Sequence, residues 1–116
     1  MKLLVVLSTF PDAGAARAAA ERIVDESLAA CVNLLPGVES IYRWEGKLEN
    51  SREVLAVFKT TTARYTALEA RLRELHPYDV PEILALPAEN VAESYFGWVR
   101  QNTVEPSAAG TPPDAA

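Results

Sequence analysis

The order in which helical and strand periodicities alternate predicts an α+β fold built on one core, and three observations carry that prediction. The chain is 116 residues long and 49% hydrophobic, enough to close one core and too short for two. A β-branched and aromatic stretch, residues 31–60, is interrupted mainly at Glu45-Gly46, the pattern of one long hairpin. Segments with apolar residues at helical spacing flank that stretch on both sides.

Taken in order, residues 3–7 (LLVVL) are a continuous apolar run ahead of Pro11, as expected of a strand buried on both faces. Asp12 is placed to cap a helix whose apolar positions Ala16, Ala20, Ile23, Val24 and Leu28 recur at threes and fours. Arg22 and Glu26 lie one turn apart on its outer side. In the first hairpin arm Val38, Ser40, Tyr42 and Trp44 share one face and Ile41 and Arg43 the other, with a bulge or bend expected at Pro36-Gly37. The second arm ends in residues 54–58 (VLAVF), apolar on both faces. Thr62 is a candidate N-cap for a second helix with Tyr65, Leu68, Leu72 and Leu75 inward and a Glu69/Arg73 pair outward, stopped by Pro77. Residues 82–86 (EILAL), between Pro81 and Pro87, predict a short strand. Asn90 and Glu93 resemble a capping pair for a third helix carrying Ala92, Tyr95, Phe96 and Val99. Residues 105–116 hold no apolar side chain larger than Ala, so the domain is expected over 1–104 with a disordered tail after it.

Strand, helix, strand, strand, helix, strand, helix is the order of a split βαβ, ferredoxin-like arrangement. Both main helices then cover one face of the sheet. The other face would carry apolar residues of 3–7 and 54–58 into water, a contiguous patch that monomers seldom tolerate. Hairpin arms of ~12 residues would span roughly 40 Å, well beyond a domain whose radius of gyration is about 13 Å. Self-association through the open face and the hairpin edges is the expectation.

The net charge of −5 and a pI near 4.8 argue against a nucleic-acid partner, which needs clustered cations. No apolar run approaches the ~20 residues of a membrane helix, and the opening run lacks a signal-peptide cleavage site. A cytoplasmic location is expected. Cys31 is the only cysteine, which excludes an internal disulfide and a four-cysteine zinc site in one chain.

Residues 76–82 (HPYDVPE) place an imidazole, a phenol and two carboxylates between a helix end and a strand, a set suited to acid-base work or metal ligation. His76 can equally serve as a helix cap. The Cys31 thiol can bind a thiophilic ion such as Cu(I) or act as a small buried apolar group. Lys59, ending an apolar strand, can neutralise Glu53, Glu82 or a bound anion. Tyr42 and Trp44 can stack on a ligand or anchor an interface. There is no phosphate-binding glycine loop, nucleophile elbow or paired metal-binding histidine motif, so catalysis is the weaker class.

Several ordered motifs resemble one family. Residues 28–33 (LAACVN), 36–47 (PGVESIYRWEGK), 59–61 (KTT), 76–82 (HPYDVPE) and 95–98 (YFGW) are together similar to the CutA divalent-cation tolerance proteins over about residues 3–103. The resemblance implies a ferredoxin-like subunit assembled as a homotrimer, similar to PII signalling proteins, with hairpins wrapped around neighbours. It also implies binding of copper or other divalent ions and no enzymatic reaction. Cys31 and His76 match family metal ligands, whereas Ser8 stands where some members have a second cysteine. That departure implies modest affinity. The intersubunit cleft implied by the resemblance would draw on Tyr42, Trp44, Glu53, Lys59, Tyr78 and Glu82, with a small anion or a protein partner as the alternative ligand.

Overall fold

The computed structural model describes residues 1–105, so the tail expected over 105–116 lies, but for its first residue, outside the described part. Seven elements follow in the expected order: β1 (Leu3–Phe10), α1 (Ala13–Asp25), β2 (Cys31–Trp44), β3 (Lys47–Thr61), α2 (Tyr65–Leu75), β4 (Leu84–Pro87) and α3 (Glu93–Gln101). The four strands form one antiparallel sheet in the order β2-β3-β1-β4, which is the ferredoxin-like topology.

Glu45 and Gly46 join β2 to β3 with φ of 50° and 78°, the paired positive values of a two-residue turn whose twist matches its strands. The pairing register slips between Leu35 and Val38, and Gly37 at φ 80° supplies the bulge expected at Pro36-Gly37. Only residues 54–61 of β3 pair with β1. The outer part of the hairpin, residues 38–44 against 47–53, projects past the domain. The molecule is accordingly elongated, 55 × 30 × 21 Å with a radius of gyration of 15.5 Å.

Alternation along β1 assigns the two faces of the sheet. Leu4, Val6 and Phe10 join Ala56 and Phe58 of β3 beneath Ile23 of α1 and Leu68 and Leu72 of α2. Arg71 of α2 forks onto both Glu26 oxygens at 2.9 and 3.0 Å, tying the helices together. On the opposite face α3 covers one end through Val99, against Leu3 and Val5. The remainder is not covered by any of the described residues. Leu35 of β2 and Leu84 and Leu86 of β4 are 45%, 41% and 50% exposed, and Leu7 and Val57 between them are half-buried.

Several local expectations change. Ser27 at φ 59° turns the chain out of α1, so Leu28 is buried after the helix and Val24 is 39% exposed. Thr62 does not cap α2; its Oγ1 accepts from the Lys2 amide while Arg64 takes the cap position without a side-chain capping bond, its Nε donating instead to the Ser27 carbonyl. α3 likewise begins after Ala92 with no side-chain cap, so the Asn90/Glu93 pair does not form. β4 sits at Leu84–Pro87 because antiparallel pairing to residues 4–7 of β1 fixes its register.

Candidate functional site: a cleft under the hairpin

A cavity of about 640 Å³ lies where the overhanging hairpin meets the chain leaving α2, lined among others by Tyr42, Trp44, Glu53, Tyr78 and Glu82. Five of the six cleft residues expected from sequence therefore meet, and Thr9, Ser40 and Asp79 join them. Thr9 and Ser40 carried no signal, since an isolated hydroxyl in a strand reads as ordinary alternation. Lys59 is not part of the cleft. It stands six positions along β3 from Glu53, roughly 20 Å at strand rise, and its Nζ donates to Asn33 Oδ1.

The cleft wall is held by a chain of contacts. The His76 amide closes α2 onto the Leu72 carbonyl, so this residue caps through its backbone while its ring turns inward. There the imidazole stacks on Phe10, centroids 4.2 Å apart and planes 19° apart. Its Nε2 lies 2.9 Å from the Thr9 carbonyl, and its Nδ1 lies 3.2 Å from the Tyr78 amide. A carbonyl only accepts and an amide N–H only donates, so Nε2 carries the proton and Nδ1 the lone pair. Burial lowers the His76 pKa, opposed by the Thr9 bond and the Glu53 charge, which favours this neutral ring. Tyr78 then donates its hydroxyl to Glu53 Oε2 at 2.7 Å. Burial first, then that bond, pushes the phenol well above its usual range.

Cys31 occupies the far end of the sheet. It pairs with Lys59, which pairs with Val5, four positions from Thr9 and so about 13 Å along the strand. A single chain does not bring Cys31 and His76 together. The Cys31 sulfur lies 3.5 Å from the Tyr95 hydroxyl, a contact between α3 and β2 that sequence spacing does not reveal. This bond first, and then burial, pushes the Tyr95 pKa up to about 12. Ser8 is fully buried on the helix-covered face, its Oγ without a hydrogen-bond partner. A thiol there would face away from Cys31.

The donor chemistry decides what fits. Both His76 nitrogens are engaged, so the ring offers a metal no lone pair without giving up a bond. Cys31 is partly exposed with a phenol as its polar neighbour. Among the described residues no group of three or more His, Cys, Asp or Glu is placed to hold a metal ion. No described helix is long and apolar enough to cross a membrane.

Comparison with known proteins agrees with this architecture. Residues 4–102 match the model of the family described as CutA1 divalent ion tolerance protein. The divalent-cation tolerance protein CutA of Thermus thermophilus is 48% identical over 99 residues, covering 85% of this chain and 96% of that protein. Mouse protein CutA is 44% identical over 103 residues, 89% of this chain and 58% of the mouse protein. The solved structure of Cut A1 from T. thermophilus superposes with a TM-score of 0.85 at 47% identity, covering 88% of this chain and 99% of that one. A family match over almost the whole described length, with identity near one half and the same fold, shows that the chain belongs to the CutA1 divalent ion tolerance family.

Proposed function

We propose that this protein acts as a homotrimer, PII-like in outline, that binds copper or another divalent cation weakly and serves metal-ion tolerance without catalysing a reaction. The supporting observation is the uncovered sheet face, where Leu35, Leu84 and Leu86 stand exposed beside half-buried Leu7 and Val57. Burying such a patch against further copies is worth about 25 cal/mol per Å² of apolar area. The overhanging hairpins supply arms that can reach a neighbour. Cys31 and His76 are the ligands assigned, with Cys31 the stronger: its sulfur gives up one phenol bond, whereas His76 must release Thr9 or Tyr78. The free thiol suits a reducing compartment and hence the cytoplasm.

Copper titration by calorimetry tests the ligands: weak binding that falls sharply in Cys31→Ala and less in His76→Ala is expected. No heat with the wild type, or an unchanged isotherm in the double variant, rejects them. The alternative of a PII-like module for a small anion has less support, because Glu53, Asp79 and Glu82 line the cleft and Lys59 lies elsewhere.

A further inference from the structure

The ligand chemistry of the cleft is carried by its lining. Tyr42, Trp44 and Tyr78 provide aromatic rings and Glu53, Asp79 and Glu82 provide carboxylates, while no Lys, Arg or His belongs to the lining. Glu53 is the telling member. It is only 8% exposed, yet it forms no ion pair among the described residues, and its one side-chain hydrogen bond engages Oε2 alone. A carboxylate so deeply buried is costly unless a cation or a full set of donors compensates it. The Tyr78 phenol is a single neutral donor, and Oε1, which keeps access to solvent, takes no hydrogen bond from the described residues.

We propose that this cleft binds a small organic cation bearing guanidinium or primary ammonium N–H groups. A planar guanidinium donates in parallel to carboxylate oxygens and stacks on an aromatic face, which the mixture of acids and rings here matches. Trp44 and Tyr42 are 48% and 41% exposed, and the Tyr42 hydroxyl is tied to Ser51 Oγ at 3.2 Å, so a ring is held in place with surface to spare. A bare metal ion is a poorer match, because the acids do not converge on one point. An extended cation contacts them in turn, and a volume of about 640 Å³ is ample for one the size of an arginine side chain. The inference uses neither Cys31 nor His76 as a ligand, so it stands or falls apart from the copper assignment.

The test uses full-length Trp98→Phe protein, in which Trp44 is the remaining tryptophan, titrated with butylguanidinium and separately with its neutral isostere butylurea. A saturable change in Trp44 emission is expected with butylguanidinium, at least about tenfold tighter than with butylurea, equivalent to ~1.4 kcal/mol. Glu53→Gln should weaken it by about tenfold, and exposed Glu82→Gln by less, which keeps the test valid if the Glu53 variant folds poorly. Copper chloride should not displace the ligand. Equal responses to the two isosteres, no response, or unchanged binding in both variants overturns the proposal. So does dissociation of the assembly by butylguanidinium in light scattering, which would assign the site to a basic side chain of a second copy.

Discussion

The two faces of the sheet are built from the same kinds of residue and end in different states. Along β1, Val6 and Phe10 are fully buried beneath α1 and α2, whereas Val5 and Leu7 alternate onto the face that only α3 partly covers. Along β3, Phe58 is fully buried while its neighbour Val57 is half-buried. Residues 3–7 and 54–58 are therefore apolar at every position, yet only one set completes the core among the described residues; the other lies on a face that the described residues leave partly open. Hydrophobicity alone does not distinguish them. The count of helices does, because among the described residues two lie on one side and a single short one on the other.

This contrast is open to direct attack. The largest effect is expected at Phe58→Ala, which leaves a cavity under both helices and should cost about 3–5 kcal/mol in urea denaturation, independent of protein concentration. Val57→Ala should cost less, and in a concentration-dependent way if copies of the chain meet on this face as proposed. Equal, concentration-independent losses would erase the distinction between the faces.

At the cleft, Tyr78→Phe removes the one hydroxyl that satisfies the buried Glu53 carboxylate and should cost about 2 kcal/mol by the same measurement. A neutral result would mean that Glu53 is satisfied from elsewhere. On the closed face, Ser8→Ala replaces a buried hydroxyl without a partner and should stabilise by about 1 kcal/mol; a loss would reveal a hydrogen bond that the geometry does not show.

The smallest expected effect concerns pH. Because burial holds the His76 pKa below 6.5, the unfolded chain binds more protons than the folded one between that value and the lowered one. Stability should fall as pH drops from 6.5 through this window and level off below it. His76→Gln should flatten that part of the thermal-melting profile, and an unchanged slope would show that another group is responsible.

Much of the fold is written locally. The Glu45-Gly46 turn, the Pro36-Gly37 bulge and the Asp12 cap, which accepts the Ala15 amide at 2.8 Å, each depend on residues close in the chain. Where the reading failed, distant partners intervened. Thr62 has the chemistry of a cap, but the Lys2 amide claims its hydroxyl. The four residues of β4 are set by register against β1 rather than by the flanking prolines. The site shows the same division: Tyr42, Trp44, Glu53, Tyr78 and Glu82 were visible as a composition, and topology gathers them. Topology also takes Lys59 away, and it separates Cys31 from His76 by the length of half a strand.

Light scattering of the wild type beside Leu7→Asp tests most directly whether copies of the chain meet on the open sheet face. Three times 12.6 kDa is expected for the wild type. The variant, its circular dichroism unchanged, should fall towards a single chain. A wild type that already scatters as one 12.6 kDa chain, or a Leu7→Asp protein that keeps the full assembly, would contradict the claim that this face is where copies meet.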